Sequence, residues 1–525
     1  MDSYKYIIVG SGAAGVSSAF ILDGKETCLV DVGEEPSANF SFSSLSDALK
    51  SGQVSKILGK KWEFLSNLRN PLSTHPKLRA EDLRHIASGN DFKVYGSGQD
   101  HLVQGRGSFA AGGMGNVWGA QLLRYTEDDF SEIGGWPISY SELAPFYSEL
   151  ESHIGISGEI DDMASFLGPS QGLLPPVPMV PSANYLLTKY LNKRNKNGVS
   201  GLKLGRPRLA VLTQPYRGRP SYEFGETEFF SPNKGGVYSP RCTLKELLLR
   251  DQITYLGGHK LISFHENSEC VLIEVEDIKH GLRKTLKSRH LLLGLGTIQT
   301  TRQILLNYRA YEHSLPFIDH PPTLLPIFLP ALFGSSLPEK SFPIQLIGTM
   351  KGQLAKAMIS FYYPAGMLWS DMLFDIPLPI DSAGLILRGV IGGMLVAQIW
   401  EASKMSQKNH LSVNSNGMVR IEYSDRSKYS NLRPFMKSLR KIGGFSLEML
   451  ASTPPPTWGF HHAATLPMSK KPGPFETHLD GRLWNSRRIR VIDGSVFPSL
   501  PAKNPSLTIM ANSSRIANLV KSCDY

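Results

Sequence analysis

Residues 4 to 9 form a short apolar run, glycines follow at positions 10, 12 and 15, and Val16 to Leu22 continues with helical character. A strand, a G-x-G-x-x-G turn and a helix in that order commit the N-terminus to a Rossmann-like α/β unit. Gly10 permits the tight turn, Gly12 lets a pyrophosphate approach the backbone, and Gly15 lets the helix pack on its strand. Ala13 and Ala14 complete the loop, where phosphate charge would meet the helix N-terminus. A second strand, Thr27 to Val30, ends at Asp31, whose carboxylate is placed to accept hydrogen bonds from a ribose diol. The expectation is a dinucleotide site, against the alternative of a glycine-rich turn in an unrelated α/β fold. The motif alone does not separate FAD from NAD.

A chain of 525 residues has room for three domains or for two large interleaved ones, and 41% hydrophobic with 19% charged residues is an ordinary globular composition. The formal net charge of +10 is compatible with an anionic substrate, an anionic membrane surface or nucleic acid. No basic run with interleaved aromatics is present, so no nucleic-acid partner is expected. Arg433, Lys437, Arg440 and Lys441 lie at helical spacing and read as a solvated face. Cys28, Cys242, Cys270 and Cys523 are widely scattered, which offers neither a disulfide framework nor a C-x-x-C pair and fits a reducing compartment. The first strand follows Met1 so closely that no secretory signal fits before it, and a cytoplasmic location is expected. The apolar stretch Ile376 to Trp400 is interrupted by Pro377, Pro379, Asp381, Arg388 and Gln398. It reads as two strands of a buried sheet divided near Gly392-Gly393, with a membrane-dipping surface patch as the alternative.

Three further segments bear on the cofactor. Gly112-Gly113-Met114-Gly115-Asn116-Val117-Trp118-Gly119 suits backbone contact with a flat, phosphorylated ligand. Leu291 to Ile298 is a buried strand entering a turn at Gly296, and Ile489 to Ser495 is a strand closing on Asp493-Gly494. Asn504-Pro505-Ser506-Leu507-Thr508 then opens a final helix. With Gly135-Trp136-Pro137-Ile138-Ser139-Tyr140 and Asp319-His320-Pro321, these segments in this order resemble the glucose-methanol-choline (GMC) family of FAD-dependent oxidoreductases, nearly end to end. The GGMGNVWG and NPSLT pieces are most similar to its pyranose-oxidase-like, sugar-oxidising branch. Some members of that branch attach FAD through a histidine beside the tryptophan. Val117 holds that position here and has no nucleophile, so noncovalent FAD is expected. Trp118 either touches the flavin or simply packs.

The resemblance maps the family's H-x-x-G-T motif onto His461-His462-Ala463-Ala464-Thr465, which makes His461 the matching catalytic position. Ala464 replaces the usual glycine and Pro467 stands where an arginine is common, departures that bear on the local backbone. Hydride leaves an alcohol carbon only if the hydroxyl proton leaves with it, and a neutral imidazole suits that task. Asn504 would hold the developing alkoxide, and the helix after Asn504-Pro505, with Thr508, would face the charge left on a reduced flavin. Two other readings of the adjacent histidines are a satisfied structural pair and a metal site; adjacent strand side chains point to opposite faces, and no metal is expected.

The resemblance further implies a discontinuous arrangement. Residues 1–139, 235–318 and 478–525 would build the FAD-binding domain, and 140–234 with 319–477 a substrate domain on a large antiparallel sheet. The strands Met394 to Trp400 and Met418 to Tyr423 agree with such a sheet. The proline-rich segment Leu173 to Pro181 reads as an extended loop, either an active-site lid or a passive connection. The function implied is oxidation of an alcohol CH–OH group of a sugar or polyol, the substrate being anionic, nucleotide-linked or lipid-linked in keeping with the charge. Oxygen, a quinone or a carrier protein would reoxidise the flavin. A flavin-containing lyase and an FAD-stabilised protein docked on a membrane through residues 376–400 are the alternatives.

Overall fold

The computed structural model describes residues 2–35, 92–95, 101–103, 107–194, 201–224, 235–336, 341–352, 355–364, 378–424, 431–454 and 456–523, together with 199, 373 and 376. The strand Ser3–Val9 lies inside a seven-stranded sheet because it is apolar on both faces: Ile7 and Ile8 are both fully buried and belong to cores on opposite sides. Thr27–Val30 and Arg283–Leu293 flank it in parallel, Thr254–Leu256 extends one side, and Val271–Asp277 with His259–Glu266 adds an antiparallel hairpin on the other. Ile489–Val491, from the far end of the chain, pairs in parallel with Leu291–Leu293.

The register sets the site. Val9 lies opposite both Val30 and Leu293, and Leu293 lies opposite Val491. Four strands therefore stop in one row, and the turns that follow them (Gly10, Asp31, Gly294 to Gly296, and Asp493-Gly494) emerge at one carboxyl edge, where ligands of open α/β sheets bind. The first helix, Ala13–Ile21, and the last, Ser506–Ser522, are in contact, with the Ser18 and Ser513 hydroxyls 2.7 Å apart.

A second, five-stranded sheet is antiparallel throughout, in the order Thr323–Phe328, Met394–Trp400, Lys356–Tyr362, Ile344–Lys351 and Lys203–Gly205. Leu325, Ile327, Leu395, Ala397 and Phe361 point from it into a core completed by the helices Pro181–Lys193 and Arg433–Lys441. The alternate residues face the other way, toward the edge of the first sheet.

Three expectations change. Within 376–400 only Met394–Trp400 is a strand; Ile380–Val390 is a helix that buries Ala383, Gly384 and Leu387, followed by a single 3₁₀ turn at Ile391–Gly393. Residue 377 lies outside the described residues. The two strands named for one sheet belong to two: Val419–Tyr423 sits in a separate five-stranded sheet, parallel to Phe92–Tyr95 and antiparallel to Asn409–Val413. Leu173 to Val180 is an extended loop leading to Pro181 at the start of a helix; it buries Leu174, Val177 and Val180 and does not line the cavity described below. The basic residues at 433, 437, 440 and 441 are exposed while Phe435, Met436 and Leu439 are buried, the expected solvated face. No described helix is long and apolar enough to cross a membrane.

Candidate active site

A cavity of about 880 Å³ runs along the carboxyl edge of the first sheet and under the second. Among the residues singled out from sequence, Gly10, Gly12, Ala13, Ala14, Asp31, Gly113, Val117, Trp118, Gly296, His461, Asp493, Gly494, Asn504 and Pro505 line it. Gly15, Gly112, Asn116 and Thr508 do not.

The two glycine-rich loops are built against each other. Gly10 adopts φ +98°, and a Cβ on Gly15 would lie 1.7 Å from the Gly10 carbonyl oxygen, so the helix can approach its strand only through glycine. A Cβ on Gly12 would meet nothing within 4 Å, which leaves its backbone open to the cavity. The Ser11 hydroxyl accepts from the Gly112 N–H at 2.8 Å and donates to Asp31. Asn116 turns back into its own loop and donates to the Ala111 and Gly113 carbonyls at 2.8 and 2.9 Å. Its part is to shape the loop, and Gly112 and Gly15 likewise act from behind the wall. Trp118 lines the cavity while its indole N–H donates to the Tyr238 carbonyl at 2.7 Å.

Burial pushes the Asp31 carboxyl up to about 6 against the lowering effect of hydrogen bonds from Ser11 and Tyr255. Neighbouring hydroxyl donors offset that desolvation, and those of a ribose would add to them. Asp493 is buried and accepts from the Gly296 N–H at 2.9 Å and from the Ser495 N–H at 3.0 Å, and Thr300 donates to it as well. It ties the middle turn to the C-terminal one. Thr508 is buried with its hydroxyl 2.8 Å from that of Tyr147, so it braces the last helix without reaching the cavity.

At the other end of the cavity the strand His462–Ala463 pairs with Ile318–Asp319, and His461, just before it, and His462 both line the cavity. His462 is buried, and its carbonyl accepts from Thr297 at 2.8 Å. His461 faces the cavity with its ring 4.7 Å from that of Trp400. Its Nδ1 lies 3.3 Å from Nδ1 of His320. His320 Nε2 lies 2.8 Å from the Glu401 carbonyl oxygen, which can only accept, so that nitrogen carries a proton. Burial lowers the His320 pKa to about 4 and keeps the ring neutral, leaving its Nδ1 bare. The His461 proton then sits on Nδ1 and donates to His320, and its Nε2 keeps a lone pair. Asp319 holds this arrangement from below, accepting from the backbone N–H groups of His320 at 2.9 Å and Thr457 at 2.6 Å.

The turn around His461 carries backbone strain. Thr457, Phe460 and Ala464 have φ of +70°, +56° and +68°. Ala464 is the position where a glycine was expected, and the left-handed backbone there explains why glycine suits it. A Cβ on Gly459 would lie 2.4 Å from the His320 carbonyl oxygen, so the turn packs directly on the histidine pair.

Asn504 lies immediately before the last helix, and its Oδ1 is buried with no hydrogen-bond partner. Pro505, placed at the cap, has helical φ and no N–H to leave unpaired. The preceding residue, Lys503, is fully buried and ion-paired with Asp129, with its ammonium also donating to the Arg124 carbonyl at 3.1 Å. That anchor fixes the backbone just before Asn504. An open glycine cradle, an acid at the end of the second strand, a helix N-terminus and an orphaned amide oxygen are together a fit for a dinucleotide with a reacting group at the His461 end.

Residues 452–513 match the family model described as GMC oxidoreductase. That stretch is similar to the C-terminal domain of GMC oxidoreductases. Enzymes of this family oxidise CH–OH groups with FAD. Over its full length the fold is shared with a pyridoxine 4-oxidase from Mesorbium loti (TM-score 0.60, 13% identity, 98% of this chain and 99% of that one). It is shared equally with a formate oxidase (TM-score 0.58, 13% identity, 99% and 98%). A variant formate oxidase from Aspergillus oryzae RIB40, described for the effect of its mutation on FAD modification, gives TM-score 0.59 at 12% identity over 99% and 98%. No curated protein sequence matches. At these identities the likeness is one of fold, and the mixed α/β architecture with its Rossmann-like and antiparallel sheets is that of GMC oxidoreductases.

Sequence reasoning singled out His461 and passed over the residues that orient it. In the sequence Asp319-His320 is one segment of the family order, and nothing local marks Ser11, which lies inside the glycine motif and bridges Gly112 to Asp31.

Proposed function

We propose that this chain is an FAD-dependent oxidoreductase that oxidises a small-molecule alcohol to the carbonyl compound, with His461 as the base and Asn504 beside it. The observation that carries the proposal is the Glu401 carbonyl, His320, His461 series beside the cavity, which puts the His461 proton on Nδ1 and makes Nε2 the basic nitrogen of the ring. Bound FAD supplies the two-electron acceptor for hydride from the alcohol carbon. The chain's residues do the rest. His461 Nε2 takes the hydroxyl proton as the C–H bond breaks, a contribution of roughly 10²–10⁴ in rate. The Asn504 carboxamide fixes the hydroxyl oxygen in line.

Gly10, Gly12, Ala13 and Ala14 would hold the pyrophosphate, Asp31 the ribose, and the N-terminus of Ser506–Ser522 the negative charge that reduction creates. Val117 lines the cavity without a nucleophilic atom, which supports noncovalent FAD. The domain division given above (1–139, 235–318 and 478–525 for the cofactor, 140–234 and 319–477 for the substrate) belongs to the same proposal.

The test is anaerobic mixing of the FAD-loaded protein with a panel of alcohols. The flavin should bleach with at least one of them, and His461→Ala should slow bleaching by roughly 10²–10⁴ while retaining FAD. Turnover of an alcohol without bleaching would identify a lyase and overturn the reading.

A further inference from the structure

The roof of the cavity is one face of the antiparallel sheet. Leu324 and Pro326, Val396 and Gln398, Trp400, and Tyr362 all line the cavity, and each strand contributes every second residue. The register makes them neighbours: Pro326 and Tyr362 both lie opposite Val396, and Leu324 lies opposite Gln398. Trp400 at the end of this face packs at a tilt against His461, with ring centroids 4.7 Å apart, so the roof covers the base. Trp458 and Phe460 approach from the strained turn, and Leu450 and Ser452 continue the face beside Leu324, to which Ser452 is bridged.

This face contains no charged side chain among the described residues. The charged residues that line the cavity are Asp31, Lys260, Arg302 and Asp493. Lys260 follows His259, whose N–H donates to the Asp31 carbonyl at 2.9 Å, and Arg302 donates to Gly417 at 2.7 Å. Lys260 thus sits at the Asp31 end, and Arg302 is committed to the Gly417 carbonyl; neither belongs to the roof. Asp493 spends its oxygens on Gly296, Thr300 and Ser495. The net charge of the chain therefore gives no cation to the roof over His461.

Resting on the reading of His461 as the base, we propose that the substrate is an uncharged primary or secondary alcohol with an apolar, aromatic or aliphatic body, and that phosphorylated and multiply hydroxylated compounds are rejected. An apolar body gains by leaving water against Leu324, Val396, Trp400 and Trp458. A hexose would bring several hydroxyls beyond the reacting one to a wall whose polar side chains are Gln398, Ser452 and Tyr362. Each hydroxyl left unpaired there forfeits its hydration. A phosphate beneath this face would meet no cationic side chain of the roof. Apolar surface also continues outward: Leu450 is 38% exposed, and its neighbour Met449 is 85% exposed. Gln398 is placed to hold one additional polar group and so to orient the body.

The test uses FAD-loaded protein and two readouts. The first is the rate of anaerobic bleaching by an aromatic primary alcohol, a medium-chain aliphatic alcohol, glucose and glucose phosphate. The second is the shift of the flavin spectrum on binding the corresponding neutral aromatic aldehyde or glucose, which needs no turnover. Apolar alcohols should exceed both sugars by about 10²-fold in rate per concentration, and the aldehyde should bind where glucose does not. Val396→Lys should narrow that gap for glucose phosphate by at least about tenfold. Glucose or its phosphate bleaching or binding as well as the apolar compounds would overturn the substrate assignment. Selective aldehyde binding with no bleaching by any alcohol would leave it standing and sink the oxidation reading instead.

Discussion

Removing His320 is the sharpest probe of the site, because the residue does not itself line the cavity and yet determines which His461 nitrogen carries the proton. His320→Leu deletes the acceptor 3.3 Å from His461 Nδ1 and the donor 2.8 Å from the Glu401 carbonyl. Losing a hydrogen bond of ~1 kcal/mol frees the His461 tautomer and costs a factor of about five. If the ring also swings by an ångström the loss grows to roughly 10². The unpaired carbonyl costs a further ~1–3 kcal/mol of stability. Stopped-flow reduction of the FAD-loaded variant should therefore be slower by about 5- to 100-fold, with substrate affinity unchanged, since His320 does not line the cavity. His320→Asn can still offer an amide oxygen to His461 and should recover part of the rate. A His320→Leu protein that holds FAD and is reduced at the wild-type rate would refute the tautomer argument. Equal rates for the Leu and Asn variants would refute it too, by reducing the effect to packing.

Three other outcomes follow from the same geometry. Gly12→Val should fold normally and bind FAD at least about tenfold more weakly, because its side chain would enter open cavity, whereas Gly15→Ala should lose ~1–3 kcal/mol of stability through overlap with Gly10. Denaturation with and without added FAD separates the two. Ala464→Gly removes a left-handed alanine worth about 1–2 kcal/mol of strain and adds ~0.4–1 kcal/mol of unfolded-state entropy, so a small net stabilisation is expected from urea midpoints. His153 and His320 are both held at about 4 by burial, below the ordinary 6.5. The unfolded chain binds protons first as pH falls, so each ring removes ~2 kcal/mol of stability between about pH 7 and pH 5. Replacing His153 with glutamine should abolish its share of that slope.

The cradle was legible because its physics is local. A tight turn, a phosphate approach and a helix contact fall within six positions, and only glycine satisfies all three. The acid at the end of Thr27–Val30 and the Asp493 that follows Ile489–Val491 were readable for the same reason, since each is a carboxylate stopping a short strand. The helix Ile380–Val390 was misread because continuous apolar character does not distinguish a helix from a buried strand. Its start was nonetheless marked by Pro379, which occupies the N-cap position. His320 was beyond local reasoning: its meaning depends on a partner 141 residues away and on the carbonyl of Glu401, a backbone atom to which no side-chain identity points. The roof was equally hidden, since a strand pattern along Thr323–Phe328 and Met394–Trp400 signals a half-buried sheet without revealing that its other half covers His461. Asn116 and Thr508 show the converse error, in which polar residues inside a ligand motif prove to serve the loop or the helix that carries the motif.

The cradle and His461 are distant in sequence and mechanically joined. Ser18 on the first helix meets Ser513 on the last, and Lys521 donates to the Ile21 carbonyl at 2.7 Å. The last helix begins one residue after Pro505, so any shift of the first helix is passed to Asn504. Asp493 adds a second link by holding Gly296 at the head of the helix Thr297–Asn307, whose first hydroxyl in turn holds the His462 carbonyl. A ligand filling the cavity touches Gly296, Thr297, His462, Asp493 and Asn504 at once and has no counterpart site in the unfolded chain. FAD at a hundred times its dissociation constant would on that account add about 2.7 kcal/mol to the stability of the whole assembly. Cofactor loading and the alignment of His461 with Asn504 are thus one equilibrium, and a substitution that loosens either helix contact should weaken FAD binding and slow hydride removal together.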